Sequence, residues 1–187
     1  QIIKEEIQKR LCPPATQDVE LNTENRNKTR DRHDYGPMNP LEESMGYWEE
    51  YSEKWPGATP QEAMKMRCAN CVAFDISDRM KACMPISEMQ YDEDEDIDPM
   101  DIADQALLDI PSEDFPGMPE DYYAGFGYCW MHHFKCHSAR TCNTWAAGGP
   151  IKTDEASGEW FDRNKEGALK KDPIDKDIYK DDTEGEK

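Results

Sequence analysis

The sequence has few basic residues, a small share of apolar residues and no long apolar run. It contains 22 Lys and Arg against 41 Asp and Glu, and its formal net charge is −19. The hydrophobic fraction is 36%, below the ~45–50% that globular chains usually have. No apolar stretch approaches the ~18 residues of a membrane span, and no segment has the pattern of a secretory signal. We therefore expect a small compact centre with extensions that become ordered against partners.

Basic residues are missing altogether between Cys83 and Cys129, a segment that contains 14 Asp or Glu. Nucleic acids attract basic surfaces, so this segment argues against direct nucleic-acid binding. We interpret residues 84–125 as an acidic insert, either a solvated loop or a docking face for a basic partner. Its run Asp92–Asp96 resembles a calcium loop, but Ile97 and Ala103 stand where an EF-hand needs Gly and Glu, which argues against specific calcium binding.

Prolines and polar runs divide the chain into three parts. Residues 1–40 are predicted to form an extended N-terminal arm, with a short helix over residues 1–11 that ends at two prolines. Residues 41–151 are predicted to form a Cys-rich core domain, and residues 152–187 a C-terminal arm or tail. Helices are expected over residues 41–55, over 59–67 with Thr59 as the cap, and over 99–109.

The chain concentrates six of its seven cysteines between Cys68 and Cys142. A Cys-x-x-Cys pair followed by further cysteines is typical of a metal or iron–sulfur site. Without a secretory signal, this pattern favours metal chemistry over a disulfide framework. Cys12 lies alone, and we interpret it as an ordinary thiol.

Three kinds of site remain open from the residues alone. Four thiolates could hold a [4Fe–4S] cluster. Zinc could be bound by Cys68, Cys71 and Cys129 together with His132, for which His133 is a substitute. Disulfides alone are the third hypothesis, and Cys136 and Cys142 are spaced for a small loop-closing bond.

The cysteine segment resembles high-potential iron–sulfur proteins, which carry Cys-x-x-Cys with an aromatic residue behind it, a third cysteine and a last one within Gly-Trp/Tyr-Cys. Here Cys68-Ala69-Asn70-Cys71 is followed by Phe74, then by Cys83 and by Gly127-Tyr128-Cys129. The resemblance implies a [4Fe–4S] cluster on Cys68, Cys71, Cys83 and Cys129. A second alignment takes Cys129 as the third ligand and Cys142 as the last, because 45 residues separate Cys83 from Cys129 whereas 12 separate Cys129 from Cys142. The candidate metal ligands are therefore Cys68, Cys71, Cys83, Cys129 and Cys142.

The chain as a whole is similar to a family of virion proteins from tailed phages, especially those of marine cyanobacteria. The resembling segments are residues 18–22, residues 35–40, the turn at residues 67–71, and residues 128–142 with the following Gly148-Gly149-Pro150-Ile151. The resemblance implies a structural virion component, such as a capsid decoration or head–tail protein, located in the virion and bound to other virion proteins such as capsid or neck subunits. It implies no catalytic activity, no membrane and no direct nucleic-acid contact.

The expected fold is a small irregular α+β core, rich in cysteine and stapled by a cluster or metal, with long extended arms. Such a core buries too little apolar surface to be stable without a staple. Two other functions remain open. One is an electron carrier of the high-potential type, and the other is a zinc-stapled adaptor that binds a basic partner through its acidic insert. Cys129, His132 and His133 lack the further groups that a catalytic Cys–His pair needs, so we expect no enzyme.

Overall fold

The computed structural model describes residues 12–42, 45–84 and 98–167. These residues form six α-helices: α1 Val19–His33, α2 Tyr47–Glu53, α3 Pro60–Ala63, α4 Asp78–Cys83, α5 Pro99–Ala106 and α6 Asp154–Gly167. They also form strands β1 Phe74–Asp75, β2 Phe126–Cys129 and β3 Phe134–His137, with short 3-10 turns at Pro14–Thr16, Cys68–Asn70 and Ser112–Asp114. The predicted α+β class is confirmed. The predicted helix over residues 1–11, the run Asp92–Asp96 and residues 168–187 lie outside the described residues.

The three strands form an antiparallel sheet in the order β1-β2-β3. Phe74 pairs with Cys129 across β1 and β2, and Cys136 pairs with Gly127 across β2 and β3. A Cβ built on Gly127 would lie 2.5 Å from the Phe74 ring, so the glycine makes room for this ring. The register therefore brings two cysteines and a buried aromatic ring into one part of the sheet.

Helix α1 covers the outer edge of β3 with polar contacts. The Asn22 side chain accepts a hydrogen bond from the Lys135 backbone N–H at 2.8 Å, and the Tyr35 hydroxyl accepts one from the His137 N–H at 3.1 Å. The Asn25 amide donates to the His133 carbonyl at 2.8 Å. These contacts satisfy backbone groups that an edge strand would otherwise expose.

The extended N-terminal arm predicted over residues 1–40 is not confirmed for its described part. Residues 19–33 are helical, and Asp18 caps this helix by accepting from the Leu21 N–H. After the helix, Tyr35 is buried and Gly36 pairs with Thr141 through both backbone hydrogen bonds. The periodicity of the sequence does not predict this helix because the helix has no apolar stripe, and a polar helix is recognisable only from its cap and its tertiary partners.

Part of the predicted acidic insert belongs to the core. Met100 of α5 is buried in the main core, and Leu107, Phe115 and Met118 form a smaller core with Ala69 and Ala139. Asp98 is the N-cap residue of α5, and its carboxylate forms an ion pair with Arg30 at 3.0 Å. The interpretation of residues 84–125 as a solvated loop is therefore corrected for residues 98–125, because four of their apolar side chains are buried in the core and Asp98, Asp101 and Asp104 are paired with arginines.

Two predicted helix starts are confirmed, and the helices themselves are shorter than expected. Thr59 and Glu62 form the expected capping box, but α3 ends at Ala63, before the predicted end near Arg67. The Asp98 side chain caps α5, which ends at Ala106. Local cap chemistry determines where each helix begins, because the cap hydrogen bonds involve residues close in sequence.

Helix α6 lies against the core at the start of the predicted C-terminal tail. Its Ala156, Trp160 and Phe161 are partly buried against the main core, and the Phe161 ring contacts Trp130 with a centroid separation of 6.2 Å. These three residues therefore pack the helix against the domain. Within the described part of the chain, no helix is both long and apolar enough to cross a membrane.

Candidate metal centre

Five of the seven cysteines line one cavity. Cys68, Cys71, Cys129, Cys136 and Cys142 surround it together with apolar side chains and two threonines. All five are free thiols. The enclosed space between these side chains has a volume of about 20 Å³. Soft sulfur donors concentrated in this way are suited to zinc, iron and iron–sulfur clusters.

The turn that carries Cys68 and Cys71 is held by backbone hydrogen bonds from two later segments. The Cys68 N–H donates to the Arg140 carbonyl at 2.7 Å, and the Ala69 N–H donates to the Ser138 carbonyl at 3.0 Å. On the other side, the Val72 N–H donates to the Ala146 carbonyl at 2.8 Å. The turn is therefore anchored on both sides by backbone groups of residues 138–146.

Gly149 makes the closest approach to this turn. Its N–H donates to the Asn70 carbonyl at 3.1 Å. A Cβ built on Gly149 would lie 1.7 Å from the Cys71 carbonyl oxygen, so no other residue fits without moving the backbone. The Gly148-Gly149-Pro150 segment therefore closes over the cysteine pair.

Cys129 and Cys136 come from the hairpin of β2 and β3, and Cys142 follows that hairpin. Cys136 is buried, whereas Cys129 is partly exposed. Phe74, Met131 and Trp145 fill other parts of the cavity lining. The aromatic rings of Phe74 and Trp145 reach the cavity, whereas those of Tyr128, Trp130 and Phe134 pack in the core.

Burial keeps Cys71, Cys136 and Cys142 protonated in the absence of a metal. Burial first, and then the charges of Cys68 and Cys129, raise the pKa of Cys71 to about 12. The pKa values of Cys136 and Cys142 are also raised, first by burial and then by neighbouring cysteines. The mutual effects show that the sulfurs are close enough to interact. Metal binding would therefore displace protons from them.

A hydrogen-bonded chain leads from Cys142 to two histidines. The Thr144 hydroxyl lies 3.2 Å from the Cys142 sulfur and 2.6 Å from His132 Nε2. The His132 ring stacks on His33 at 4.6 Å. When His132 Nε2 carries the proton, the Thr144 hydroxyl is free to donate to the sulfur. His132 therefore contacts the site through Thr144 and does not line the cavity, which does not favour the zinc set that included it.

Cys83 lies elsewhere, in a disulfide with Cys12. Its inclusion among the candidate ligands is thereby corrected, because a sulfur in a disulfide has no thiolate to bind a metal. The interpretation of Cys12 as an ordinary thiol is corrected by the same bond. The other four candidates, Cys68, Cys71, Cys129 and Cys142, all line the cavity.

Cys136 also lines the cavity, although it was not among the candidate metal ligands. It pairs with Gly127 in the hairpin and is 2% exposed. The alternation in Phe134-Lys135-Cys136, with the first and third residues buried, was the available signal. The loop-closing disulfide considered between Cys136 and Cys142 is not formed, since both are free thiols.

Among residues 12–42, 45–84 and 98–167, no three His, Cys, Asp or Glu side chains converge closely enough to hold a single metal ion. A mononuclear zinc site needs all its donors about 2.0–2.3 Å from one point. In a cluster each thiolate binds a different iron, so the four sulfurs stand further apart.

A scan against protein-family models, a search of curated proteins and a search of solved structures found no match to the chain.

Proposed function

We propose that this chain is a structural virion protein of a tailed phage whose small core is stapled by a [4Fe–4S] cluster in the cysteine-lined cavity. The observation that carries the cluster is the convergence of five free thiols on one cavity while the other two cysteines are joined elsewhere. The cluster would supply four iron–thiolate bonds between segments that are distant in the chain.

The proposed ligands are Cys68, Cys71, Cys129 and Cys142. Of the two alignments with the high-potential iron–sulfur family, the disulfide of Cys83 supports the one in which Cys129 is third and Cys142 last. Cys136 then remains a fifth thiol behind the cluster. These ligands tie the Cys-x-x-Cys turn to the hairpin and to the segment after it, which is why we assign the cluster a stabilising role.

The virion role rests on the sequence resemblance, and the position of the resembling segments supports it. Asp18 caps α1, which covers β3, and Tyr35 and Gly36 contact the strand and loop around the cysteines. Gly149 closes over Cys71. The resembling residues thus build one folded unit around the cavity. The proposed partners are other virion proteins, such as capsid or neck subunits.

The cluster is tested by measuring iron, acid-labile sulfide and zinc in freshly purified full-length chain, with a visible absorption spectrum. We expect roughly four irons and four sulfides per chain. Cys71→Ala should remove them, whereas Cys136→Ala, the matched buried control, should retain them. One zinc without sulfide, or no metal at all, would contradict the proposal.

The virion role has its own test. Purified particles of the phage that encodes the chain should contain it at a fixed copy number by quantitative mass spectrometry. Its absence from washed, intact particles would contradict a structural role while leaving the cluster assignment to the metal analysis.

An electron carrier is the second candidate function, favoured by the partial exposure of Cys129 at the cavity. A reversible one-electron couple, measured electrochemically, would support this function if its potential is the same in the isolated chain and in the chain assembled with its partners. The zinc adaptor is not favoured by the described part of the insert, because Asp98, Asp101 and Asp104 are already paired with arginines. The acidic run Asp92–Asp96 lies outside the described residues.

A further inference from the structure

Three polar side chains from distant segments meet at the ends of α1 and α2. Asp34 is the C-cap residue of α1, Lys54 is the C-cap residue of α2, and Asn143 follows Cys142. The Lys54 ammonium donates to Asn143 Oδ1 at 2.9 Å and also to Asp34 Oδ2. The Asn143 amide nitrogen donates to the same Asp34 oxygen at 2.6 Å. One carboxylate oxygen therefore contacts both an amine and the nitrogen of the carboxamide that the amine touches.

Backbone hydrogen bonds and helix ends hold the three residues in this arrangement. The Asn143 N–H donates to the His33 carbonyl at 2.8 Å, which fixes Asn143 beside the end of α1. The Asp34 carbonyl accepts from the hydroxyl of Tyr47, the first residue of α2, at 2.8 Å. Asp34 itself has a left-handed backbone, with φ 50° and ψ 44°, a conformation that aspartate adopts more readily than most residues. The contacts between the side chains are therefore set by the packing of α1, α2 and the segment that carries Asn143.

This geometry suits the attack of an amine on a carboxamide. A lysine amine is a nucleophile once it has lost its proton, and a carboxylate within hydrogen-bond reach can accept that proton. Hydrogen bonds from Lys54 and then from Asn143 lower the pKa of Asp34, so this carboxylate is ionised and able to accept it. The hydrogen bond to Oδ1 places Nζ of Lys54 beside Asn143 Cγ, one bond away from the oxygen. Holding two reacting groups together in this way greatly raises their effective concentration.

We propose that Lys54 and Asn143 form an intramolecular isopeptide bond, with Asp34 as the group that transfers the proton. Asp34 Oδ2 takes a proton from the Lys54 ammonium, and the neutral Nζ forms a bond to Asn143 Cγ. The Cγ–Nδ2 bond then breaks as the Asp34 proton passes to Nδ2, which leaves as ammonia. The ammonia takes up the surplus proton on Nζ and departs as ammonium. The products are one secondary amide and one ammonium ion, the Asp34 carboxylate is regenerated, and the reaction needs no oxidant or other reactant.

Partial exposure of the three side chains favours completion of this reaction. The Lys54 side chain is 39% exposed and that of Asp34 is 52% exposed, so the ammonium escapes into solvent. An exposed ion pair by itself contributes little to stability. A covalent bond across 89 residues would restrict the unfolded chain much as a disulfide does. Asp34, Lys54 and Asn143 are not among the residues that line the cysteine cavity, so the inference does not depend on the cluster proposed there.

The test is the intact mass of purified full-length chain, denatured and with its disulfide reduced. We expect the wild type to be lighter than its sequence by one ammonia, and tryptic digestion should yield a branched peptide that joins Lys54 to Asn143. Lys54→Arg keeps a cation beside Asp34 but cannot form the amide, so it should retain its full sequence mass. Lys28→Arg is the matched control, since it changes another exposed lysine that is in an ion pair, and it should lose ammonia as the wild type does.

A full sequence mass in the wild type after prolonged incubation at mildly alkaline pH would overturn the inference and leave an ion pair only. Loss of ammonia without the branched peptide would also overturn it, because an asparagine can lose ammonia by cyclising on its own backbone. Asp34→Asn tests the proton transfer, since asparagine also tolerates the left-handed backbone. We expect the bond to form at least about 100-fold more slowly in this variant, and an unchanged rate would contradict the role of Asp34.

Discussion

Gly149 shows how one residue controls the cysteine turn. We expect Gly149→Ala to destabilise the protein by more than about 2 kcal/mol, because overpacking of this kind forces the backbone to move, and its Cβ would meet the Cys71 carbonyl oxygen at 1.7 Å. Metal content should fall with stability, since Cys71 would be displaced. Denaturant unfolding and iron analysis check both effects.

Gly158 in α6 is the control for that substitution, because a Cβ there meets nothing within 4 Å. Gly158→Ala should leave metal content unchanged and stabilise the helix by up to ~1 kcal/mol. Equal behaviour of the two alanine variants would contradict the close approach at Gly149.

His132 links stability to pH. Burial first, and then the charges of His33 and His133, lower its pKa to about 3. In the unfolded chain His132 takes up a proton near pH 6.5, whereas in the folded protein it does not. Its contribution to the free energy of unfolding is therefore fully present above pH 6.5 and is lost as the pH falls toward 3. Between pH 7 and pH 5 this single group should cost about 2 kcal/mol of unfolding free energy.

The measurement is the difference in urea unfolding between wild type and His132→Asn at pH 7 and at pH 5. Other acidic groups titrate in both proteins, so their contributions cancel in the difference. We expect the wild type to lose more stability than the variant over this range. Parallel pH profiles would show that His132 is not held neutral.

At the scale of elements, the disulfide ties the segment before α1 to the end of α4. Cys12 and Cys83 are 71 residues apart in the chain, and closing a loop of that length typically stabilises by ~2–4 kcal/mol. Cys12→Ala and Cys83→Ala should each lower the unfolding free energy by about this amount, with iron and sulfide content unchanged. Loss of iron in Cys83→Ala alone would reinstate Cys83 as a ligand.

Helix α5 is attached to the core through the ion pair of Asp104 with Arg140. The side chain of Arg140 is 0% exposed and that of Asp104 is 12% exposed. Asp104→Asn leaves the guanidinium buried without its carboxylate, so we expect a loss of about 3 kcal/mol by thermal or urea unfolding.

The exposed pair of Glu24 and Lys28 on α1 is the comparison for that prediction. Their side chains are 56% and 50% exposed, and Glu24→Gln should change stability by less than ~0.5 kcal/mol. Similar losses of stability in Asp104→Asn and Glu24→Gln would indicate that the burial of Arg140 does not determine how much the ion pair stabilises the fold.

At the scale of the whole molecule, the cluster should decide how stable the chain is. The described core is small and is split into three apolar groups around Tyr128, Phe115 and Trp48. We expect removal of the cluster by oxidation and chelation to lower the midpoint of thermal unfolding by roughly 10 °C, which corresponds to about 3 kcal/mol for a domain of this size. Calorimetry of cluster-loaded and cluster-free chain checks this.

Cys136→Ala provides the control for cluster removal, since it changes the same cavity and is expected to keep the cluster. Its unfolding midpoint should fall by the cost of a small buried cavity and should fall again on chelation. Coincident unfolding of loaded and cluster-free wild type would show that the cluster does not stabilise the fold.

Local chemistry made several features predictable. Thr59 and Asp98 cap their helices as expected because cap hydrogen bonds involve residues two or three positions apart. The Cys-x-x-Cys turn is likewise local. Helix α1 was not predictable from periodicity, because its buried side chains are Arg26 and Thr29 and its contacts are hydrogen bonds and ion pairs with distant segments.

The sequence by itself determined the α+β class, the starts of α3 and α5 and the segment in which most of the thiols lie, since each depends on residue type and short-range spacing. Only the tertiary structure decided which cysteines act together. It joined Cys83 to Cys12 and brought Cys136 to the cavity through strand register. Pairings between segments about 70 residues apart depend on the packing of the whole chain, and spacing along the sequence does not encode them.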